Sequence, residues 1–410
     1  MRRRGGGRLL LVYVNSIALG IAVALLAPMA VLLVQLAAAM LLPRRCGAGG
    51  RPAGVRVAVL VPAHNEEASL GDALETIRLQ LRDGDRIVVI ADNCTDRTCE
   101  VAAAHGAQVI HRNDLTHIGK AFAFEHGVRH LEADPPDVVV VIDADCAAEA
   151  DTLDALAGQV MATDRPAQAV YVMNCSDRPA LCEAVSALAF LIRNEVRPMG
   201  MRRLGLPCLV TGSGMAFPWH VIRDVSPANE WLAEDTHLSV ELSLAGYPPL
   251  LCEAARVSGQ VPRATAALTT QRRRWEYGHL STMVTQVPRL MWAAVRKRRP
   301  ALVAIALDLA VPPLALLVLG VMAGASLTLA AAAAGASRWP VLLLSGALLA
   351  LGAMMVIVWA RVARGRLPLV SLLAVPVYLA WKVPLYLTLL VRRPVWSRTA
   401  RDARLPVGTG

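Results

Sequence analysis

The stretch Val138-Val139-Val140-Val141-Ile142-Asp143-Ala144-Asp145 sets five consecutive β-branched residues directly against two carboxylates separated by one residue. A run this apolar reads as a strand buried on both faces, as in the interior of a mostly parallel sheet. Alternation along a strand sends Asp143 and Asp145 to the same side at its carboxyl end. Acids paired in this way repel each other unless a cation or sugar hydroxyls neutralise them. Hard divalent cations with oxygen ligands, Mg2+ or Mn2+, are the natural occupants, bridging to substrate phosphates. Two solvated acids at a strand terminus are the plain alternative.

Around this strand, short β-branched runs alternate with amphipathic stretches. Strands are expected at 55–61, 86–91, 107–110, 138–142, 169–173 and 209–216, with helices following Glu66, Thr95, Ile118, Glu149 and Leu181. The order predicts a doubly wound, mostly parallel α/β sheet with helices on both faces. Ligands in such sheets sit beyond the carboxyl ends of the strands, and unusual polar residues stand there.

The run to Val61 enters Pro62-Ala63-His64-Asn65-Glu66-Glu67, a polar turn that could hold a base or ribose, or simply cap a helix through Asn65. The next strand ends in Asp92-Asn93-Cys94-Thr95-Asp96-Arg97-Thr98, a second polar cluster in the same geometric place. Lys120, at the start of a helix, is placed either to meet a diphosphate where helix amides also point or to lie on the surface. Thr211-Gly212-Ser213-Gly214 lets backbone approach a ligand closely, as any tight turn would. Glu234-Asp235 opens an amphipathic helix, where a carboxylate can accept a proton from an attacking hydroxyl or serve as a cap. In Gln271-Arg272-Arg273-Arg274-Trp275 three cations precede an indole: arginine grips phosphate bidentately, and an indole face stacks on a sugar ring.

The rest of the chain is uneven. Of 410 residues, 55% are hydrophobic and only 18% charged. Residues 9–42 contain no ionisable side chain beyond Tyr13, 301–360 contain only Asp308 and Arg338, and 367–391 carry Lys382 as their only charge. A bilayer core about 30 Å thick needs about 20 apolar helical residues. Spans are therefore expected in 9–42, near 301–322 and at 341–360, with 324–335 as an extension or re-entrant piece. The first run is either one helix or a hairpin divided at Pro28, and it is too long for a cleaved signal. Residues 367–391, interrupted by Pro376, Lys382 and Pro384, are expected to lie in the cytoplasmic interface or to dip in and out of the bilayer rather than span it cleanly. The layout predicts a membrane segment at 1–45, a catalytic domain at 46–295 and further membrane and interfacial helices with a basic tail at 296–410.

The net charge of +10 comes from arginines and lysines gathered where apolar runs end. That distribution holds loops on the cytoplasmic side and attracts anionic lipid, and without a nucleic-acid motif it argues against nucleic-acid binding. The eight cysteines form no CxxC pair or His-partnered metal spacing, which suits reduced thiols.

Taken in order, the 62–67 turn, Asp92, Asp143-Ala144-Asp145, Glu234-Asp235 and Gln271 to Trp275 resemble the family 2 glycosyltransferases. The resemblance is to the membrane-bound branch similar to cellulose, hyaluronan and poly-N-acetylglucosamine synthases. It implies a GT-A-like fold and an inverting transfer of a sugar from a nucleotide diphosphate donor, UDP in this branch, to a polysaccharide or lipid-linked acceptor. Glu66 and Asp92 would contact uracil, while Lys120, Asp143 and Arg274 hold the nucleotide and diphosphate. Asp145 would bind the metal and Asp235 would be the general base. Trp275, with Glu234, Gly212 and Ser213, would face the acceptor, and Gln271 completes the Gln-x-x-Arg-Trp element. The expected place is the plasma or inner membrane with the catalytic domain cytoplasmic, and export of a polymer would call for a partner protein. A single addition to a membrane lipid is the rival enzyme; a transporter or scaffold with a degenerate domain is the rival of another class.

Overall fold

The structure, a computed structural model, describes residues 3–44, 49–174, 181–228, 231, 233–260 and 265–391. The valine run forms β4 (Val138–Val141), buried throughout, and hydrogen-bonds in parallel to β1 (Val57–Ala63). β1 pairs in parallel with β2 (Arg86–Asp92), and β2 with β3 (Gln108–Arg112). These four strands are the parallel part of the sheet that the β-branched pattern predicts. Beyond β4 the sheet continues through β7 (Met215–Pro218), β6 (Ala167–Asn174), β8 (Leu250–Gln260) and β5 (Ala147–Ala148), giving eight strands in the order 3-2-1-4-7-6-8-5. β7 runs antiparallel to both neighbours and β5 antiparallel to β8, whereas β6 and β8 are parallel.

Helices cover both faces. α2 (Leu70–Arg78), α3 (Thr98–Ala104), α4 (Lys120–Leu131), α5 (Thr152–Thr163) and α6 (Leu181–Leu191) start close to where the sequence places them. α6 leads through a five-residue π-helical segment, Ile192–Val196, into α7 (Arg197–Leu204). A short α8 (Trp219–Asp224), α9 (Glu234–Ala245) and the long α10 (Thr265–Lys297) complete the domain. The strand expected at 209–216 starts only at Met215, because Gly212 and Gly214 adopt positive φ and turn the chain before it can join the sheet. β8 and the two-residue β5 are the strands that sequence patterning misses; Glu253 and Arg256 interrupt the apolar rhythm of β8.

α1 (Arg3–Leu41) is one continuous helix through Pro28, so the hairpin alternative falls. It lies against α7 with Gly200 at the crossing, where a Cβ would stand 2.0 Å from the Gln35 carbonyl oxygen. Only glycine admits two helical backbones that close. The expected span near 301–322 is corrected. α11 (Pro300–Leu309) stops before Pro312-Pro313, which lack amide hydrogens and exclude helical geometry just before them. The apolar register restarts as α12 (Leu314–Ala333), which absorbs the 324–335 stretch, and α13 (Trp339–Val358) follows. Among the described residues, three helical stretches are long and apolar enough to cross a membrane: Leu11–Leu41, Leu314–Ala333 and Trp339–Ala363. α14 (Val370–Leu373) and α15 (Val375–Val391) are not among them.

Candidate active site

At the carboxyl ends of β1 and β2 the two polar turns interlock. Asn65 and Asn93 both adopt positive φ, which asparagine tolerates better than most residues. The Asn65 side-chain oxygen accepts the Thr95 amide at 2.8 Å, so Asn65 joins the two turns and does not cap α2. The Glu66 amide donates to Thr98 Oγ1 at 2.8 Å, and Ser69 Oγ donates to the Glu66 carboxylate at 2.8 Å. Asp92, at the end of β2, is buried and accepts Arg112 Nη1 at 2.7 Å and Asn93 Nδ2 at 2.9 Å. Arg112 also donates to the His117 carbonyl at 2.7 Å, anchoring the loop that leads into α4. The sequence reading does not single out Arg112, although it too stands at a strand's carboxyl end.

Glu66 and Asp92 thus flank one edge of the crevice, and Lys120 opens the next. Lys120 forms an ion pair with Asp143 and donates to the Gly212 carbonyl. Burial alone would push its ammonium down, but the adjacent Asp143 carboxylate outweighs that and leaves it raised. Gly212 has φ +92°, and a Cβ built on it would lie 3.5 Å from Asp235 Oδ2 and 3.8 Å from Lys120 Nζ. Asp143, Lys120, Gly212 and Asp235, spread over more than 110 positions of sequence, therefore meet in one place.

The 211–214 turn is held from below. Fully buried Gln168 accepts the Thr211 amide at 2.9 Å and donates to the Ser213 carbonyl at 2.8 Å. Ser213 Oγ accepts the Asp143 amide at 3.1 Å, so the turn and the acidic strand end are joined directly. Gly214 leaves no room for a side chain: its Cβ would lie 2.8 Å from both Ala169 Cβ and Val257 Cγ2. Neither Gln168 nor this packing has a sequence signal.

Asp143, Asp145 and Cys146 bring one potential ligand atom each to within 4.8 Å of one another. Burial, and then the charges of Asp145 and Asp143, push the Cys146 thiol well above its usual range, so it is a protonated neighbour that donates toward Asp145 at 3.6 Å. Asp143 is matched by Lys120. Carboxylate oxygens beside a protonated thiol are a donor set that could hold a hard divalent cation.

Glu234 and Asp235 occupy the first turn of α9, and neither is its cap, a position held by Ala233. Glu234 is pushed up to about 7, first by burial; Asp235 and Asp143 push the same way, while Lys120 and Arg274 push back. Arg274, on α10, therefore faces the same cluster, and its Nε is buried without a hydrogen-bond partner among the described residues. The Trp275 ring lies 6.0 Å from that of Phe190, which in turn stands edge-on to Tyr171 at 5.2 Å. Tyr171 Oη stands 3.6 Å from the Cys146 sulfur, so an aromatic wall runs from Trp275 to the acidic strand end. The side chain of Gln271 lies outside the described residues.

Carboxylates and cations gathered beyond the carboxyl ends of the strands are the arrangement expected of a nucleotide-binding α/β enzyme. The family follows from comparison. The model of the glycosyltransferase like family 2 matches residues 52–278, more than half of the 410-residue chain; the protein belongs to this family and is a glycosyltransferase. An uncharacterized glycosyltransferase of Mycobacterium tuberculosis is 40% identical over 108 residues, 26% of this chain and 45% of that protein. The low-salt glycan biosynthesis hexosyltransferase Agl6 of Haloferax volcanii is 32% identical over 112 residues, 26% of this chain and 25% of that protein. The chain thus aligns with less than half the length of these curated relatives. Among solved structures, the mannosyltransferase PcManGT of Pyrobaculum calidifontis, in complex with GDP-Man and Mn2+, superposes with a TM-score of 0.56 at 21% identity. It covers 90% of this chain and 99% of its own, and the two share the GT-A-like fold.

Proposed function

We propose that the protein is an inverting, metal-dependent transferase that moves a sugar from UDP to a carbohydrate or lipid-linked acceptor at a membrane. The observation that carries this reading is the meeting of Lys120, Asp143, Gly212 and Asp235 at the carboxyl ends of the strands. Glu66 and Asp92 hold the base, the former through the interlocked turns and the latter fixed by Arg112. Lys120 and Arg274 receive the diphosphate, two cations set against charge that grows on the leaving group. A bound Mg2+ or Mn2+ at Asp145 would supply further positive charge to the same phosphates.

Asp235 takes the proton of the acceptor hydroxyl as its oxygen bonds to the anomeric carbon. One carboxylate suffices for a single displacement that inverts configuration. Trp275, backed by Phe190, offers its ring to the acceptor. Glu234, Gly212 and Ser213 shape the same side, the glycine leaving open the space that a side chain would fill. The three apolar helices and the arginine-rich ends of the apolar runs support an integral membrane protein with residues 46–295 on the cytoplasmic face of the inner or plasma membrane. Residues 1–45 and 296–410 then form the membrane and interfacial parts, and synthesis of envelope polysaccharide, with an export partner, is the fitting setting.

Replacing Asp235 with Asn keeps the shape and removes the base. The variant is expected to bind UDP as the wild type does and to lose transfer by about two to four orders of magnitude. Near-normal turnover would refute the assignment.

A further inference from the structure

The aromatic wall of the site is carried by two helices, and each is tied by a buried carboxylate to the apolar C-terminal part of the chain. Phe190 stands near the end of α6, and in the π-helical segment that follows, buried Glu195 pairs with Arg256 of β8 at 3.0 Å and with Arg366, beyond α13, at 2.8 Å. Trp275 on α10 is followed directly by Glu276, which forms an ion pair with Lys382 of α15. One turn further along α10, buried His279 donates through Nε2 to the Val311 carbonyl at 3.0 Å, between the end of α11 and the start of α12. Residues three and four apart share a helix face, so Trp275, Glu276 and His279 look the same way. That face of α10 is therefore pinned at two points by residues that lie beyond position 300.

Lys382 is fully buried, on a helix whose other residues carry no charge. Its ammonium meets the Glu276 carboxylate and stands 5.5 Å from the Tyr378 ring centre and 5.7 Å from that of Trp381. Taking an ammonium and a carboxylate out of water is costly, and an apolar pair of similar volume commonly holds two elements together at least as firmly. What an apolar pair does not supply is a unique setting. A methionine can slide along a neighbouring helix, whereas a buried ion pair is satisfied in one register. From α10 the contacts continue into the site. The Trp275 ring lies 6.0 Å from Phe190, Phe190 lies 5.2 Å from Tyr171, and Tyr171 Oη stands 3.6 Å from the sulfur of Cys146, the residue after Asp145. Direct contacts thus lead from α15 to the acidic strand end.

We propose that Lys382 is a positioning residue for the transfer: through Glu276 it sets where α10 presents the Trp275 ring, and with it the acceptor. This rests on the transferase reading above and adds a part for α15, which is not among the candidate spans. Lys382 acts through Glu276 and makes no bond in the reaction. The turns after β1, β2 and β4 are bonded to one another and do not involve α15. Loss of the ion pair therefore acts on acceptor placement and leaves the hold on the nucleotide in place.

The test uses the full chain labelled with 5-fluorotryptophan in neutral detergent, its Trp275 resonance assigned by the loss of that line in Trp275→Phe. The variant combines Lys382→Met with Glu276→Gln, which removes both charges and leaves no buried carboxylate uncompensated to unfold the protein. Both readouts are taken well below the thermal midpoint of either protein, so a change in stability alone moves neither. The wild type should give one sharp Trp275 line. In the double variant the line should broaden or divide, because the ring no longer has one position; a charge lost from a fixed structure would shift the line and keep it single. Turnover, read as UDP released from a panel of UDP-sugars by membrane vesicles of the protein's own cells, should fall about tenfold to a hundredfold, the cost of a misplacement of about 1 Å. UDP affinity should stay close to that of the wild type. A single sharp line or wild-type turnover in the double variant overturns the proposal, as does a loss of UDP affinity equal to the loss of turnover. A wild type that binds no UDP, or releases none from any UDP-sugar, would instead sink the transferase reading.

Discussion

The two sides of the crevice are built differently. On the strand side, the turns after β1, β2 and β4 are internally bonded: Asn65 to Thr95, Glu66 to Thr98, Asp92 to Arg112 and Asp143 to Lys120. On the helical side, Arg193 and Arg274 stand without hydrogen-bond partners among the described residues, on elements whose other contacts reach α1, α11 and α15. The first side is a finished receptor fixed by contacts between neighbouring strands. The second carries charge that no described residue pairs, and its position depends on contacts with α1, α11 and α15. Charge left unpaired is costly unless a ligand uses it, so the contrast separates scaffold from binding surface.

The helical side depends most on Lys382, fully buried on α15 and paired with Glu276, the residue after Trp275. Lys382→Met leaves a buried carboxylate uncompensated, an effect of about 3–5 kcal/mol. Thermal unfolding in detergent should show a large drop in Tm, and adding Glu276→Gln should restore most of it. If the single change is silent, the helical side is not held by α15.

Next in size is Gly214→Val on the strand side. Its Cβ would meet two core atoms at 2.8 Å at φ +70°, and overpacking of this kind costs about 1–3 kcal/mol. Loss of Tm together with loss of UDP binding is expected; a stable variant that binds UDP would show that the 211–214 turn can move independently of the sheet.

Arg112→Ala probes the strand side without touching the proposed ligand. Losing the charged hydrogen bond to Asp92 should raise the Kd for UDP about tenfold. An unchanged Kd would mean that the strand side does not depend on this contact.

The smallest effect is one of pH. Glu234, pushed up to about 7 by burial, is neutral below that pH and gains a negative charge above it, beside Asp143 and Asp235. UDP, also an anion, should therefore bind the wild type progressively more weakly than Glu234→Gln as pH rises through about 7, by about threefold at one charge in a half-screened site. Parallel titration curves for the two proteins would contradict this.

The same contrast explains what was legible in the sequence. Val138 to Asp145 fixes its own strand and its own acidic end because both follow from local alternation, and the turns after β1 and β2 obey the same rule. Gln168 and Arg193 have no such rule. One acts on a turn more than 40 positions away, and the other lies on a π-helical segment, a conformation with no compositional mark. The membrane runs were visible by composition, but the break at Pro312-Pro313 moved a span boundary, because two adjacent prolines outweigh continuous hydrophobicity.

Equilibrium binding of UDP to the purified full-length protein, with Mn2+ present and after its removal by a chelator, tests the site most directly. Metal-strengthened UDP binding that Asp145→Asn reduces to the chelated level is the result expected. UDP binding that ignores both the metal and Asp145, or no UDP binding in any condition, would contradict the account.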